Sequence, residues 1–405
     1  MSISRGFYPR PLSIIPASCR FRLLSSDIIR YFSQKNPLLF AYLIFLLYLC
    51  IVNQMGARIK YWDLARGLAI LLVIFYHVPL YIRIGHPWAV ELTAPHVNAG
   101  TYILPFFMPV FFIISGVFTN TAKSYGSFLW GDVKHLLGVG LLLTFVNTLI
   151  QTIGLQDIGI LRWFFRSLFS AKAVDLILSN WFVSAIFFAR QIYYAIDRLA
   201  HWLAKDRQSL YWILEFALLA MVAIMGIWLE PHAPFNDHWY YCQGLVFAIF
   251  IAFGKLLQQH PIPKSFLWAG GGLYVLLMAL SRFLGLSTLE YGMINTSFTL
   301  AHWPFYMLLA LSGSALLIAL AQTLNTSAPL EFIGRHSLVF YIPQGGILLV
   351  TSTLLGRSFL PDTPALIWAY ILIMWLTSLL GLTLIAILQS ALTSVLKPLS
   401  VSRSA

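Results

Sequence analysis

Long apolar runs separated by short polar segments dominate the sequence from Asp63 onward. About ten of these runs approach the roughly 20 residues that a helix needs to cross the hydrocarbon core of a bilayer. A backbone inside lipid must satisfy its own hydrogen bonds, so each run is predicted to be an α-helix. The pattern therefore predicts an all-α fold, a polytopic transmembrane bundle of about ten helices. The predicted spans are residues 63–82, 101–119, 135–154, 180–197, 209–228, 239–256, 265–283, 303–322, 336–354 and 365–387.

Composition excludes a soluble protein. The chain has 405 residues, of which 59% are hydrophobic and 10% are charged, and its mean hydropathy is +0.80. Soluble domains carry about a quarter charged residues, so this chain lacks the polar surface to face water on all sides. The length suits one helical bundle, and the lipid bilayer is its predicted environment.

The net charge of +12 does not indicate nucleic-acid binding, because the basic residues are scattered over the loops. No basic block with interleaved aromatic residues is present, so no nucleic-acid partner is predicted. With Arg66 on the inner side, 13 Lys and Arg residues after position 54 fall inside and six fall outside. This excess predicts an inner (plasma) membrane protein with both termini cytoplasmic. The loop 155–179 holds three of the six outer charges and weakens the prediction locally.

Residues 1–54 do not fit this orientation. They carry six basic residues before an apolar run from Pro37 to Val52. If that run spanned the membrane, the six charges would lie outside, against the orientation rule. We favour Met55 as the start and treat residues 1–54 as an uncertain extension, with a peripheral or re-entrant segment as the alternative. The membrane domain is predicted to cover residues 55–395.

The first predicted span carries three ionisable residues on one face. Asp63 and Arg66 are three residues apart, and His77 follows Arg66 by eleven residues, which is three helical turns plus about 20° and about 16 Å. Ionisable residues inside a membrane are costly and are functional candidates. Asp63 and Arg66 can also form a local ion pair, and His77 can bond a neighbouring helix. Alternatively, His77 takes a proton from a hydroxyl group.

Other polar groups in the spans have two interpretations each. Arg190 and Glu215 fall in the fourth and fifth spans, where an ion pair between the helices is expected, or Arg190 faces a substrate cavity. Ser115 and Gly116 suit close helix packing. Trp181 lies at a span boundary, where an interfacial tryptophan is common. The histidines, carboxylates and three cysteines lack metal-ligand spacing, so no metal site is predicted.

Four segments together resemble the membrane acyltransferase 3 family, and most closely its fucose 4-O-acetylase-like branch. The first is the Asp63–His77 segment, in which ten residues lie between Arg66 and His77. The others are Phe106–Gly116, similar to the second-helix signature, and Asn180–Phe187, similar to the fourth-helix Trp-Phe-Leu segment. The last is Gly334–Tyr341, similar to the motif Gly-Arg-x-Ser-Leu-x-x-Tyr. The segments occur in family order within residues 58–390.

One position departs from the family pattern. The family usually places a histidine three residues after the tyrosine of the last motif, and this chain has Gln344 there, preceded by Pro343. Glutamine forms hydrogen bonds but does not accept a proton near neutral pH. If the family histidine is a base, its role is lost here or rests on His77. If it positions substrate, glutamine can replace it.

The resemblance implies transfer of an acyl group, usually acetyl from acetyl-CoA, to a hydroxyl of a cell-envelope carbohydrate, with no bound cofactor. Arg66 would meet the phosphates of the acyl-CoA donor, and His77 would activate the acceptor hydroxyl or carry the acyl group. Arg335, His336 and Ser337 would contact donor phosphates or cap a helix. A glycan or lipid-linked sugar transporter and a non-catalytic scaffold are the alternatives, but no inverted repeat supports transport. The predicted substrate-binding residues are Asp63, Ser115, Gly116, Trp181, Arg190, Arg335, Ser337, Tyr341 and Gln344.

Overall fold

A computed structural model of the chain divides it into two units, Met1–Arg58 and Ile59–Ala405. It describes residues 60–86, 89–100, 102–168, 181–205, 207–233, 239–284, 303–358 and 363–401. The predictions about residues 1–54 and about Met55 lie outside these residues. The predicted domain from 55 to 395 therefore stays a prediction.

The described residues are helical and contain no β-strand, which confirms the predicted all-α fold. In chain order the helices of the first half are α1 Lys60–Gly85, α2 Val90–Gly100, α3 Leu104–Phe107, α4 Pro109–Val117, α5 Tyr125–Asp132, α6 Val139–Leu155, α7 Ile158–Leu168 and α8 Trp181–Ala204. A π-helical segment, Val133–Gly138, joins α5 to α6. The second half contains α9 Gln208–Leu229, α10 Tyr241–Gln259, α11 Lys264–Phe283, α12 Trp303–Leu324, α13 Ala328–Arg335, α14 Ser337–Tyr341, α15 Gln344–Ser358 and α16 Pro364–Val401.

Eight helical stretches among the described residues are long and apolar enough to cross a membrane, so the protein is a multi-pass membrane bundle. Two of the predicted spans differ from this pattern. The span 101–119 is a shorter apolar segment, broken between α3 and α4. Pro105 and Pro109 stand in the first turns of these two helices, where the missing N–H is tolerated, and Pro109 cannot continue a helix from the preceding residues. The span 180–197 is part of α8, which is long but carries three charged residues.

The first helix lies at the centre of one group of contacts. It packs against α2, α4 and α12 to α16. Its buried face includes Leu64, Ile70 and Ile74, which are almost completely inaccessible. A second group of contacts joins α4, α8, α9 and α10. Helix α4 belongs to both groups and therefore connects the first helix to the α8–α10 layer.

Glycine allows the closest of these helix contacts. A Cβ at Gly116 would overlap the Ile251 carbonyl, and a Cβ at Gly254 would overlap the Ile113 carbonyl. Helices α4 and α10 therefore touch backbone to backbone, as small residues allow in membrane bundles. The packing role predicted for Gly116 is confirmed. Helix α4, which follows the break in the span 101–119, packs tightly beside α10.

Candidate active site

Asp63 and Arg66 form the predicted local ion pair in the first turns of α1. Their nearest nitrogen and oxygen atoms are 3.6 Å apart, and the Asp63 side chain is nearly buried. The Arg66 guanidinium also lies over the ring of Phe118, 4.9 Å from the ring centre. This contact directs Arg66 from α1 towards the end of α4.

His77 lies farther along the same helix, at an axial distance of about 16 Å from Arg66. Its Nδ1 is 2.7 Å from the carbonyl oxygen of Val73. Because a carbonyl only accepts hydrogen bonds, Nδ1 is the protonated nitrogen and Nε2 carries the lone pair of the neutral ring. The rings of Tyr76 and Tyr81 lie 5.6 Å and 6.5 Å away, centre to centre. A tautomer with a basic Nε2 suits the acceptance of a proton from a hydroxyl group.

The last predicted motif packs directly on the first helix. A Cβ at Gly334 would overlap the Asp63 carbonyl, and a Cβ at Gly67 would overlap the Leu330 carbonyl. Helices α13 and α1 therefore meet without side chains between them. Arg335 is adjacent to this contact, so the two motifs that carry Arg66 and Arg335 are brought together.

The residues after Gly334 are held by local contacts. Arg335 Nε donates to the Glu331 carbonyl over 3.2 Å. His336 occupies the N-cap position of α14, but no side-chain cap bond forms there, so the predicted capping role is not observed. Its Nε2 lies 2.9 Å from the Ser390 hydroxyl, and burial lowers the pKa of the imidazole. His336 is partly buried, and its Nε2 is already engaged with Ser390 and so is not directed to a phosphate. Ser337 begins α14 and is partly buried.

Aromatic contacts connect the fourth-helix motif to the last motif. Phe182 lies 5.2 Å from Tyr341 and 5.5 Å from Phe112, centre to centre. Trp181 is 6% exposed and packs near Phe247, so its ring lies in the protein core at the start of α8. Tyr341 is also buried. The second, fourth and last motifs therefore meet in one aromatic cluster.

Gln344 begins α15 and is 5% exposed. Among the described residues its Oε1 has no hydrogen-bond partner. A Cβ at the next residue, Gly345, would overlap the Tyr81 hydroxyl, which stands one helical turn beyond His77. A buried amide oxygen without a partner is costly, so it marks a place where a ligand hydroxyl can donate.

Arg190 does not pair with Glu215, and the predicted ion pair between them is wrong. The Arg190 Nε lies 3.0 Å and 2.9 Å from the two carboxylate oxygens of Asp132. Its NH1 donates to the hydroxyls of Ser115 and Thr119 over 2.9 Å and 2.8 Å. Arg190 thus ties α8 to the end of α5 and to α4, and its charge is neutralised by Asp132.

The helix length explains this error. Helix α8 continues seven residues past the predicted end of its span, to Ala204. Arg190 is therefore about four turns from that end, whereas Glu215 is about two turns from the start of α9. In an antiparallel hairpin the two side chains lie at different depths, so they do not face each other.

A cavity of about 340 Å³ lies beside the Arg190 cluster. Two cationic or titratable side chains, Lys123 and His135, are exposed at its wall. Phe118 also lines it, so the ring that stacks on Arg66 borders the same space. Its lining residues are Ser115, Phe118, Asn120, Lys123, Ser127, Phe128, Gly131, Asp132, His135, Leu136 and Arg190.

The cavity wall includes residues that the sequence did not identify. Asp132, Lys123 and His135 fall in a predicted loop and at the start of a predicted span, where charges are ordinary. His135 lies in the π-helical segment Val133–Gly138. Such segments are rare and often mark functional sites, but their hydrogen-bond pattern is not visible in sequence. The sequence pointed to Asp132 only indirectly, because an arginine inside a span needs a charged partner.

The geometry does not bring all predicted residues to one point. Arg66, Ser115 and Arg190 lie at or near the cavity, whereas His77, Tyr81 and Gln344 lie deeper along α1 and α15. In the part of the chain that the structure describes, no group of three or more His, Cys, Asp or Glu residues could hold a metal ion. The arrangement suits a reaction whose substrates reach the bundle from two directions.

Comparison with known proteins identifies the family. Residues 59–389 match the family described as acyltransferase domain. No curated protein and no solved structure matches the chain. The matched region includes α1, the cavity, the aromatic cluster and α15, and it covers most of the chain. The chain therefore belongs to the acyltransferase 3 family and is a membrane acyltransferase.

Proposed function

We propose that the protein transfers an acetyl group from acetyl-CoA to a hydroxyl of a cell-envelope carbohydrate. One observation carries this proposal. A cavity with exposed basic side chains adjoins Arg66, and the same helix carries His77 about 16 Å farther along with its Nε2 available as a base. One helix can thus supply a cation for an anionic donor and a base for a hydroxyl acceptor. The match to the acyltransferase family supports the reaction class.

The donor is proposed to bind with its phosphates at the cavity. Arg190 lines this cavity, but its charge is neutralised by Asp132. The positive charge for an anionic ligand therefore comes from Lys123, with Arg66 across the ring of Phe118, and the exposed His135 ring can donate a hydrogen bond. Arg190, in this proposal, positions the wall through its bonds to α4 and α5. The cavity is proposed to take the phosphate part, with the acyl arm extending along α1.

The chemical step is proposed to occur at His77. Nε2 removes the proton of the acceptor hydroxyl as the hydroxyl oxygen attacks the carbonyl carbon of the thioester. The new C–O bond forms, the C–S bond breaks, and the departing thiolate takes the proton from the imidazole. The hydrogen bond from Nδ1 to the Val73 carbonyl holds the tautomer and stabilises the imidazolium that forms briefly.

The acceptor is proposed to enter from the other end of α1 and to lie against Gln344. The amide oxygen of Gln344 would accept a hydrogen bond from a sugar hydroxyl next to the reacting one. Tyr81 borders this place through its contact with Gly345. In this arrangement the donor comes from the cytoplasm and the acceptor from the outer side, so one reaction serves both faces of the membrane.

Labelled acetyl-CoA tests the activity directly. Membranes with and without the protein are incubated with it, and the envelope glycans are analysed by mass. We expect an added acetyl group only when the protein is present. Equal amounts of labelled glycan in membranes with and without the protein would contradict the proposal.

Two matched variants test the donor site. Lys123→Gln removes a cavity charge, and we expect the KM for donor to rise about tenfold because a charged hydrogen bond contributes about 1.5–3 kcal/mol. Lys134→Gln is the control, since this neighbouring lysine lies over the ring of Trp130 and does not line the cavity. Equal effects of the two substitutions would contradict the assignment of the donor site.

A further inference from the structure

Two buried carboxyl groups that the proposed reaction does not use face each other between α8 and α9. Asp197 is 3% exposed and Glu215 is completely buried. One phenol oxygen, that of Tyr211, lies between them. It is 2.8 Å from Asp197 Oδ1 and 2.6 Å from Glu215 Oε1. Both distances are those of hydrogen bonds between oxygen atoms.

The arrangement holds one proton more than it would hold with both carboxyl groups ionised. Two hydrogen bonds need two protons, and the Tyr211 hydroxyl supplies one. The second must belong to one of the two carboxyls. If both were ionised, one carboxylate oxygen would face the phenol oxygen with no proton between them, deep in the protein, at a large cost.

The surroundings assign this proton to Glu215. Asp197 lies 3.6 Å from Nδ1 of His201, whose side chain is 60% exposed, so the Asp197 end of the cluster lies next to solvent. Glu215 lies deeper, and its Oε2 has no hydrogen-bond partner among the described residues. The fully buried phenol of Tyr193 faces the same carboxyl from α8.

Helix α10 packs against this hairpin, and the ammonium of its Lys255 contacts Gln258 and the Thr119 carbonyl. Helix α10 presents Phe253 to Phe216 and His260 to the ring of Trp212. On the side of α5 and the π-helical segment, Asp132 pairs with Arg190, and Lys134 lies over the ring of Trp130. The proton of Glu215 therefore exchanges with solvent most directly through Tyr211, Asp197 and His201.

The same part of α8 holds the loop that borders the cavity. The Tyr194 hydroxyl donates to the Lys123 carbonyl over 2.8 Å. Arg198 NH2 donates to the carbonyl of Thr121 over 2.7 Å and contacts that of Lys123 at 3.3 Å. Asp197 lies between these two anchors in sequence, so a shift of α8 against α9 moves the loop as well.

We propose that Asp197, Tyr211 and Glu215 form a proton-binding site that couples the α8–α9 contact to the loop at the donor cavity. With the proton bound, the two helices are joined through one phenol. Loss of the proton leaves two like charges around that phenol and separates the helices. The effect on the donor rests on the proposed function, whereas the bound proton does not.

The sign of the pH dependence follows from linkage. Carboxyl groups of the unfolded chain are ionised at neutral pH, whereas the folded site holds one carboxyl proton. The folded state then binds more protons than the unfolded state, so the free energy of unfolding decreases as pH rises. The unfolding temperature is expected to fall with rising pH from the pH at which the unfolded carboxyl ionises up to the pH at which the folded site releases its proton.

Infrared spectroscopy of the purified full-length protein without donor tests the bound proton. We expect a carboxylic-acid C=O band at neutral pH that shifts on exchange into heavy water. Glu215→Gln should abolish it. Asp197→Asn should abolish it too. The amide of the new side chain can donate to the phenol oxygen, and the Tyr211 hydroxyl can then donate to an ionised Glu215. Glu91→Gln, which changes an exposed carboxyl, is the matched control and should keep the band.

The outcomes separate this inference from the proposed function. Absence of the band in the folded wild-type protein, or its survival in either Glu215→Gln or Asp197→Asn, would overturn the proton site. Unfolding temperature against pH gives a second readout, and Glu215→Gln should flatten it. If donor binding is measurable, the KM for acetyl-CoA should rise severalfold with pH in the wild type and stay level in Glu215→Gln. A failure of acetyl-CoA to bind would contradict the proposed function, but the infrared result would still support the proton-binding site.

Discussion

Removal of Asp132 is the perturbation whose cost the structure defines best. The two carboxylate oxygens share the Nε–H of Arg190, and one of them also accepts a hydrogen bond of 2.8 Å from Gln191. The two charged side chains are only 9% and 16% exposed. Breaking a buried ion pair by removing one partner costs about 3–5 kcal/mol, because the other charge stays buried. Ser115 and Thr119 still accept from Arg190, so we expect the lower end, about 3 kcal/mol, for Asp132→Ala.

A double-mutant cycle measures this coupling. Asp132→Ala, Arg190→Ala and the double variant are unfolded reversibly in mixed detergent micelles, with Glu91→Ala as an exposed control. We expect each single variant to lose about 3 kcal/mol and the double variant to lose clearly less than their sum, with a coupling of about 2 kcal/mol. Donor affinity should fall in the single variants, since the cavity wall loses its support. Additive effects, or single losses below about 1 kcal/mol, would refute the role of this pair.

The remaining predictions concern the reaction and the packing. His77→Ala should lower the transfer rate by about 10²–10⁴ while donor affinity, measured on matched folded protein, is kept. Arg66→Ala should mainly weaken donor binding, and Arg66→Lys should restore it only in part because an ammonium lacks the planar fork. Gly254→Ala should destabilise the bundle by about 1–3 kcal/mol in the same micelle titration, whereas Gly272→Ala, whose Cβ meets open space, should not. Gln344→Leu should raise the KM for the sugar acceptor about threefold to tenfold through one lost hydrogen bond and leave donor binding unchanged.

The helical architecture was predictable because the bilayer restricts the choices. Apolar runs of fixed length must be helices, so the predicted positions of most spans agree with the structure. The exceptions have local causes. Pro109 breaks the span 101–119, and the polar residues of α8 extend that helix beyond its apolar part, to Ala204. Hydropathy detects the apolar part of a helix and not its full length.

The site was predictable only where it lies within one helix. The spacing of Asp63, Arg66 and His77 follows from helix periodicity, and the Asp63–Arg66 pair forms as expected. Contacts between helices were not predictable in the same way. The choice between Asp132 and Glu215 as the partner of Arg190 depends on helix lengths and rotations that a single sequence does not specify.

Charge pairing inside the bundle decides which cations can meet an anionic donor. An arginine within a membrane bundle needs a partner, and Arg190 has one in Asp132, 2.9 Å away. Recruiting it for phosphate would require breaking that pair, at a cost comparable to the binding gain. Lys123 and His135 differ because they are exposed at the cavity wall, where water solvates them until a ligand arrives. Interactions of exposed charges are screened by salt, so donor binding governed by the ammonium of Lys123 must weaken as ionic strength rises.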